Sequence, residues 1–135
     1  MVKKTISKTY DSVKYKNFIS VAKNFEEAAD LAFEFDYYNA AGVLYIHSAI
    51  AYADTITIKL SSLKSSGENH YEVINLIETV VPINLIQKKA INNFKSLIDH
   101  KNLISYTGDI YHKKDLDKIR RHFNNFKDCA MQICS

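Results

Sequence analysis

An all-α, up-and-down bundle of four to five helices is predicted by three features of this chain. Residues Asn39 to Leu63 form one almost wholly apolar stretch, interrupted by His47, Asp54 and Lys59. Such a stretch reads as a helix buried on nearly all sides, which only a multi-helix bundle can supply. Leu116, Ile119, Phe123, Phe126, Ala130 and Ile133 alternate steps of three and four, the mark of an amphipathic helix. Three glycines and one proline in 135 residues leave few places for the turns of an all-β or α/β fold.

The first helix is expected from about Ser12 to Phe35, with Tyr15, Phe18, Ile19, Ala22, Phe25, Ala29, Ala32 and Phe33 on its apolar stripe. The second runs from near Tyr38 to near Lys64, and its small residues, such as Ala49 and Ala53, let neighbouring helices approach closely. Ser65-Ser66-Gly67-Glu68-Asn69 is a turn, with Asn69 suited to cap a short third helix from His70 to Val80 and Glu72 to complete a capping box. Pro82 suits the first turn of a fourth helix, where its missing N–H is not needed. That helix, with Ile83, Ile86, Ala90, Phe94, Leu97 and Ile98 as its stripe, is expected to end near His100. Thr107-Gly108-Asp109 breaks the chain before the fifth helix, Lys113 to Cys134. Residues 1–11 are polar and expected to be a flexible segment, leaving 12–135 as one domain.

Composition narrows the class. Hydrophobic content of 47% with 24% charged residues is ordinary for a globular protein. The N-terminus has no apolar run behind its lysines, and the apolar helix carries His47 and Asp54, so neither a secretory signal nor a membrane span is expected. Together with only two cysteines, this gives an expectation of a cytoplasmic protein. Cys129 and Cys134, five apart on a helix, point about 140° away from each other, which disfavours a bond or a shared metal.

The net charge of +3 is unevenly spread. Lys113, Lys114, Lys118, Arg120, Arg121 and Lys127 crowd the last helix, either as a nucleic-acid surface or as a solvated face interleaved with Asp115, Asp117 and Asp128. Phosphate-binding glycine loops, nucleophilic triads and metal-ligand spacings such as HExxH or CxxC do not occur, so no metal or cofactor is expected.

What remains is a set of polar residues that a bundle would gather at one end. If the second, third and fourth helices alternate in direction, the end of the second lies beside the start of the third and the end of the fourth. His70 then meets the short segment holding Lys101, Asn102 and Tyr106. A cation, an amide and a phenol so placed could hold a phosphate or a nucleotide. Each has a plainer reading: Lys101 as a helix-end charge, Tyr106 as an edge aromatic, His47 as a hydrogen-bonded core residue. Asp54 in an apolar face needs a partner and marks either a structural network or a site. His47 and Asp54 share one face two turns apart, too far to bond directly. A simple hairpin would also keep His70 away from His47.

The runs AGVLYIHSAIAYADTITI, SSGENHYEVINLIETV and HKNLISYTGDIYHKKDLDKIRRHFNNF resemble the HEPN superfamily (higher eukaryotes and prokaryotes nucleotide-binding domain). They look most like small stand-alone prokaryotic members, with His-Ala/Ser-x-Ile…Asp in the second helix, Gly-x-x-His at a turn, and Lys-Asn-x-x-x-Tyr after the fourth. The likeness covers about residues 12 to 130. It implies a four- to five-helix bundle that often dimerises. Many such proteins are metal-independent ribonucleases, toxins paired with a nucleotidyltransferase antitoxin or agents of phage defence.

The family's active site is an arginine, a polar residue after it, and a histidine a few residues on. By position Lys101 stands for the arginine, Asn102 for the polar residue and Tyr106 for the histidine. A phenol, with an ordinary pKa of about 10, is a poor base at pH 7, and lysine lacks a two-pronged grip on phosphate. Losing the histidine alone would cost about a hundredfold in rate. The resemblance therefore implies a non-catalytic domain, expected to be a homodimer, that binds a nucleotide, RNA or a protein partner. The alternatives are a ribonuclease, with His70 or His112 as proton donor, and a purely structural dimeric adaptor. The candidate site residues are His47, Asp54, His70, Lys101, Asn102 and Tyr106.

Overall fold

The computed structural model describes residues 7–66, 69–83 and 85–135, with residues 85 and 86 described by backbone alone. Five helices pack together: α1 (Tyr15–Glu34), α2 (Tyr38–Ser61), α3 (Tyr71–Val80), α4 (Leu85–Tyr106) and α5 (Lys113–Cys134). One small antiparallel ladder, β1 (Ser7–Thr9) with β2 (Leu63–Ser65), joins the chain start to the end of α2. The protein is an all-α helical bundle. No helix among the described residues is long and apolar enough to cross a membrane.

Helix α2 is the axle of the bundle. Every residue from Ser48 to Ile58 is buried, and α1, α3, α4 and α5 all pack on it. An apolar helix so enclosed follows from its sequence, since burial of each large apolar side chain stabilises by roughly 1.5–3 kcal/mol. Two tyrosines carry the seam with α5: the Tyr45 and Tyr52 rings lie 5.1 and 6.2 Å from Phe123. Across α4 and α5, Phe94 stacks on Phe126 at 4.6 Å. The α5 stripe is buried at Leu116, Ile119, Phe123, Phe126 and Ala130, as its spacing predicts, with Ile133 half-buried at the frayed end.

Helix α1 is only partly enclosed: Ala22 and Ala29 are buried, whereas Tyr15, Phe18, Ile19 and Phe25 are half-buried. Its two buried alanines let α2 approach closely enough for Ser48 Oγ to donate to the Ala22 carbonyl at 2.6 Å.

Four expectations change. Helix α2 stops at Ser61, because Ser62 turns left-handed (φ 59°) and the following residues enter β2. Residues 7–9, within the segment expected to be loose, are paired in β1, while residues 1–6 lie outside the described residues. Pro82 and Ile83 precede α4, and Ile83 is 84% exposed, so it is no part of the stripe that Ala90, Phe94, Leu97 and Ile98 form. The Ile86 side chain and the Gly67-Glu68 part of the expected turn lie outside the described residues. Most important for the site, α4 does not end at His100. It continues through Tyr106, so Lys101, Asn102 and Tyr106 sit on the last two helical turns and not on a loop.

Candidate functional site

The chain returns from α2 to α3 along its own side. His47 lies fourteen residues before Ser61, a helical rise of about 21 Å. The eight peptide units from Ser62 to His70 span up to about 26–29 Å when extended. That reach carries His70 back to the level of His47, so the separation expected of a simple hairpin does not hold. Asn69 anchors the arrival: its Oδ1 accepts from the Tyr71 N–H at 3.0 Å, and its carbonyl accepts from the Glu72 N–H at 3.0 Å. Tyr71 then donates its hydroxyl to Asp99 Oδ1 on α4 at 2.6 Å.

A cavity of about 210 Å³ opens where α3 meets α4, lined by Asn69, His70, Tyr71, Ile98, Lys101 and Asn102. Lys101 has neither a carboxylate nor a hydrogen-bond partner among the described residues. Its charge is felt by both nearby imidazoles. Burial holds the His47 pKa below its ordinary value, and Lys101 pushes it further down. Burial also lowers His70, followed by the charges of Lys101, His47 and Lys64. The His47 ring packs at 5.7 Å on Phe25 of α1. The structure thus brings His47, His70, Lys101 and Asn102 into one neighbourhood.

Tyr106 does not join it. Five residues past Lys101 it points about 140° away around the helix, and it is 78% exposed. The expected loop of cation, amide and phenol therefore divides: Lys101 and Asn102 line the cavity, and Tyr106 stands on the outer ridge of α4.

Asp54 is 6% exposed and its nearest cation is Lys64, with Nζ 3.8 Å from Oδ2. Lys64 makes its closer contact, 3.1 Å, with the Ser65 carbonyl, so the carboxylate is weakly compensated and its Oδ1 has no partner among the described residues. Burial pushes the Asp54 pKa up to about 7 and Lys64 pulls against it. Asp54 and His47 make no direct bond, as their spacing requires. Asp54 is thus joined to the cavity only through Lys64, whose charge also bears on His70.

His112 has a structural position. It caps α5 in a reciprocal pair with Asp115, receiving the Asp115 N–H while its own backbone N–H donates to Asp115 Oδ2 at 2.8 Å. Cys129 and Cys134 are free thiols.

A second polar network escaped sequence reasoning. The Tyr45 hydroxyl donates to Asp30 on α1 and accepts from Arg120 Nε at 3.1 Å, while the Arg120 guanidinium lies 4.1 Å above the Phe33 ring. About two turns along α2 and α5, Glu26 accepts from the Tyr52 hydroxyl at 3.0 Å and from Lys127 at 2.5 Å. Both phenol pKa values are raised, by burial first and then by these carboxylates. The signal was available: Tyr45 and Tyr52, seven apart on a buried helix, each needed a polar partner. The network locks α1 and α5 to α2 and accounts for Arg120 structurally.

Chemically, the α3–α4 cavity can hold an anion. The Lys101 ammonium and the His70 imidazole line it with the amides of Asn69 and Asn102, and His47 lies close enough to feel the Lys101 charge. The first N–H groups of α3 are already satisfied by Asn69, so side chains would carry the binding. Among the described residues no cluster of three or more His, Cys, Asp or Glu could hold a metal. Comparison with family models, curated proteins and solved structures finds no match to the chain.

Proposed function

We propose that this chain is a HEPN-like helical domain that binds a phosphate-bearing ligand, a nucleotide or RNA, without turning it over. One observation carries the reading: Lys101 stands without a counter-charge beside two imidazoles whose protonation it opposes. An anion in the cavity would meet Lys101 and His70 directly and offset the charge that bears on His47. Hydrogen bonds to charged groups contribute about 1.5–3 kcal/mol, so Lys101→Ala should weaken binding at least about tenfold. Calorimetric titration with AMP and with a short RNA measures this. Absence of binding, or binding indifferent to Lys101→Ala, would overturn the proposal.

Ribonucleolytic cleavage is the second reading, and one observation favours it. His47 and His70 near Lys101 supply imidazoles for proton transfer that Tyr106 cannot supply. Cleavage of mixed RNA that both Lys101→Ala and His70→Gln abolish would replace the binding-only reading.

The proposal includes a homodimer, a cytoplasmic setting and, as the resemblance implies, a nucleotidyltransferase-type antitoxin as protein partner. Support for self-association is the set of exposed apolar side chains at one end of the bundle. Phe35 and Tyr37 lie in the α1–α2 turn, and Ile110 lies in the α4–α5 link that Asn39 ties to the start of α2. Light scattering at tens of micromolar that gives a monomer mass would remove the dimer from the proposal.

A further inference from the structure

The α5 flank of α4 carries a second cluster of polar and basic side chains. His100 Nδ1 lies 2.7 Å from the Tyr111 hydroxyl, and His122 Nδ1 lies 2.7 Å from Asn93 Oδ1. Because Asn93 presents an oxygen, His122 carries its proton on Nδ1 and leaves Nε2 bare as an acceptor in the neutral ring. Both rings are therefore oriented by one nitrogen, with the other uncommitted among the described residues. Arg121 is exposed beside them and has no partner among the described residues. On the same face of α5, Lys118 and Lys114 precede it by three and seven residues, one continuous basic stripe.

The carboxylates near this cluster are engaged elsewhere or lie off it. Asp115 is bonded to His112, Asp117 to Lys113 at 3.3 Å, and Asp99 to Tyr71. Asp109 lies near Tyr111, and Asp128 lines a separate cavity with Asn93 and Asn125. None bonds His100, His122 or Arg121. Burial, Arg121 and His100 together hold the His122 pKa below its ordinary value. Positive charge thus gathers on this flank without a bonded carboxylate among the described residues, as it does at Lys101.

His100 and Lys101 are consecutive residues. Their flanks are the two sides of one helix, about 10–12 Å across with its side chains. Between them the exposed ridge of the last α4 turns presents Asn102, Leu103 and Tyr106. A mononucleotide fills one flank. A strand fills both.

Resting on the phosphate-binding reading above, we infer that the ligand is a single-stranded polynucleotide straddling α4. One phosphate sits in the His70–Lys101–Asn102 cavity and another sits against His100, His122 and Arg121. The intervening base lies on Tyr106. An exposed phenol ring there is a sequence-tolerant stacking surface, and base–aromatic stacking recurs where single strands are held. The route passes C-terminal to Asp99, whose charge would repel a strand crossing at its level.

Fluorescence anisotropy with a labelled 12-nucleotide single-stranded RNA, against AMP, tests this on the full chain. The strand should bind at least about tenfold more tightly than AMP. Arg121→Gln/His122→Gln should erase that difference and leave AMP affinity within about twofold. The log–log salt dependence should lose roughly 0.7 for each phosphate contact removed. Arg121→Gln alone, at an exposed position, repeats the test should the double variant fail to fold. A strand no tighter than AMP, or a variant that leaves strand affinity and salt slope unchanged, would overturn the inference alone. Failure of AMP and strand alike would overturn the phosphate-binding reading itself. Single-stranded DNA binding equally well would extend the ligand class to both sugars. Inorganic polyphosphate binding as tightly as RNA would overturn the inference, because stacking on Tyr106 would then contribute nothing.

Discussion

Asn39 on the first turn of α2 and Tyr111 beyond the end of α4 are joined by a hydrogen bond of 2.8 Å, from the Tyr111 backbone N–H to Asn39 Oδ1. The same amide donates from Nδ2 to the Asp109 carbonyl at 2.8 Å and to the Ile104 carbonyl at 3.3 Å. One side chain thus fastens the end of α4 and the link after it to the start of α2. Tyr111 passes the constraint on through its hydroxyl to His100.

Asn39→Ala should therefore do more than remove a surface contact. It leaves the N–H of buried Tyr111 unpaired and the Ile104 and Asp109 carbonyls short of a donor, a loss of about 1–2 kcal/mol. Urea unfolding measures the cost, and the His100 ring resonances should shift with it. Unchanged stability would mean that water replaces the amide without penalty.

Lys101→Gln should raise the pKa of both His47 and His70, because the lysine charge lowers each. Both should stay below the ordinary histidine value, since burial is the larger cause. His122 serves as the internal control: its depression comes from burial, Arg121 and His100. NMR titration of the ring protons reads all three. A His122 shift as large as that of His70 would show a general structural change in place of a local charge effect.

The legible parts of this fold are those that a single helix encodes by itself. Helix α5 begins and ends where its stripe and its flanking Gly108 place it, because a step of three and four needs no partner to be recognised. Helix α4 was misjudged at both ends for the opposite reason. Its last turns, Lys101 to Tyr106, are polar outside, and only packing of Ile104 against Gly42 of α2 and the Asn39 clamp keep them helical. Lys101 and His70 were correctly gathered, but by the wrong route. The extended return through β2, which brings His70 back to His47, depends on pairing with residues 7–9, more than fifty positions away. No local signal marks such a pairing.

Gly42 makes that last packing possible. A Cβ at Gly42 would overlap Ile104 Cδ1 and touch Ile119 Cδ1 at 3.5 Å. Gly42→Ala gains about 1 kcal/mol of helix propensity and loses about 1–3 kcal/mol to overpacking, so it should destabilise by about 1 kcal/mol. Ile104→Val removes the obstructing methyl and should itself cost about 1 kcal/mol. The double variant should be more stable than the sum of the two losses. Simple additivity in thermal or urea unfolding would place the strain elsewhere.

Asp54 predicts the pH dependence of stability near neutrality. Its folded pKa of about 7 lies above the ordinary carboxylate value of about 3.9, so the folded state binds this proton more tightly than the unfolded chain does. The contribution is complete below about pH 4 and is lost as the pH rises through about 7. His47 and His70 act with opposite sign: their depressed pKa values favour the folded state above about 6.5, and that advantage is lost as the pH falls below it. The two effects overlap: the Asp54 contribution falls across the interval between its unfolded and folded values, about 4 to 7, while the histidine advantage grows up to about 6.5. Between pH 6 and 8 the Asp54 contribution should fall by about 1 kcal/mol, read as the difference in unfolding free energy between the parent and Asp54→Asn. Asp54→Asn, a neutral isostere, should lack that fall, be more stable than the parent at pH 8, and keep the decline below about pH 6.5 that the histidines cause. Urea unfolding at half-unit pH steps decides it. A parent-to-variant difference that stays constant between pH 6 and 8 would assign the titration to another group and leave the weakly compensated carboxylate charged.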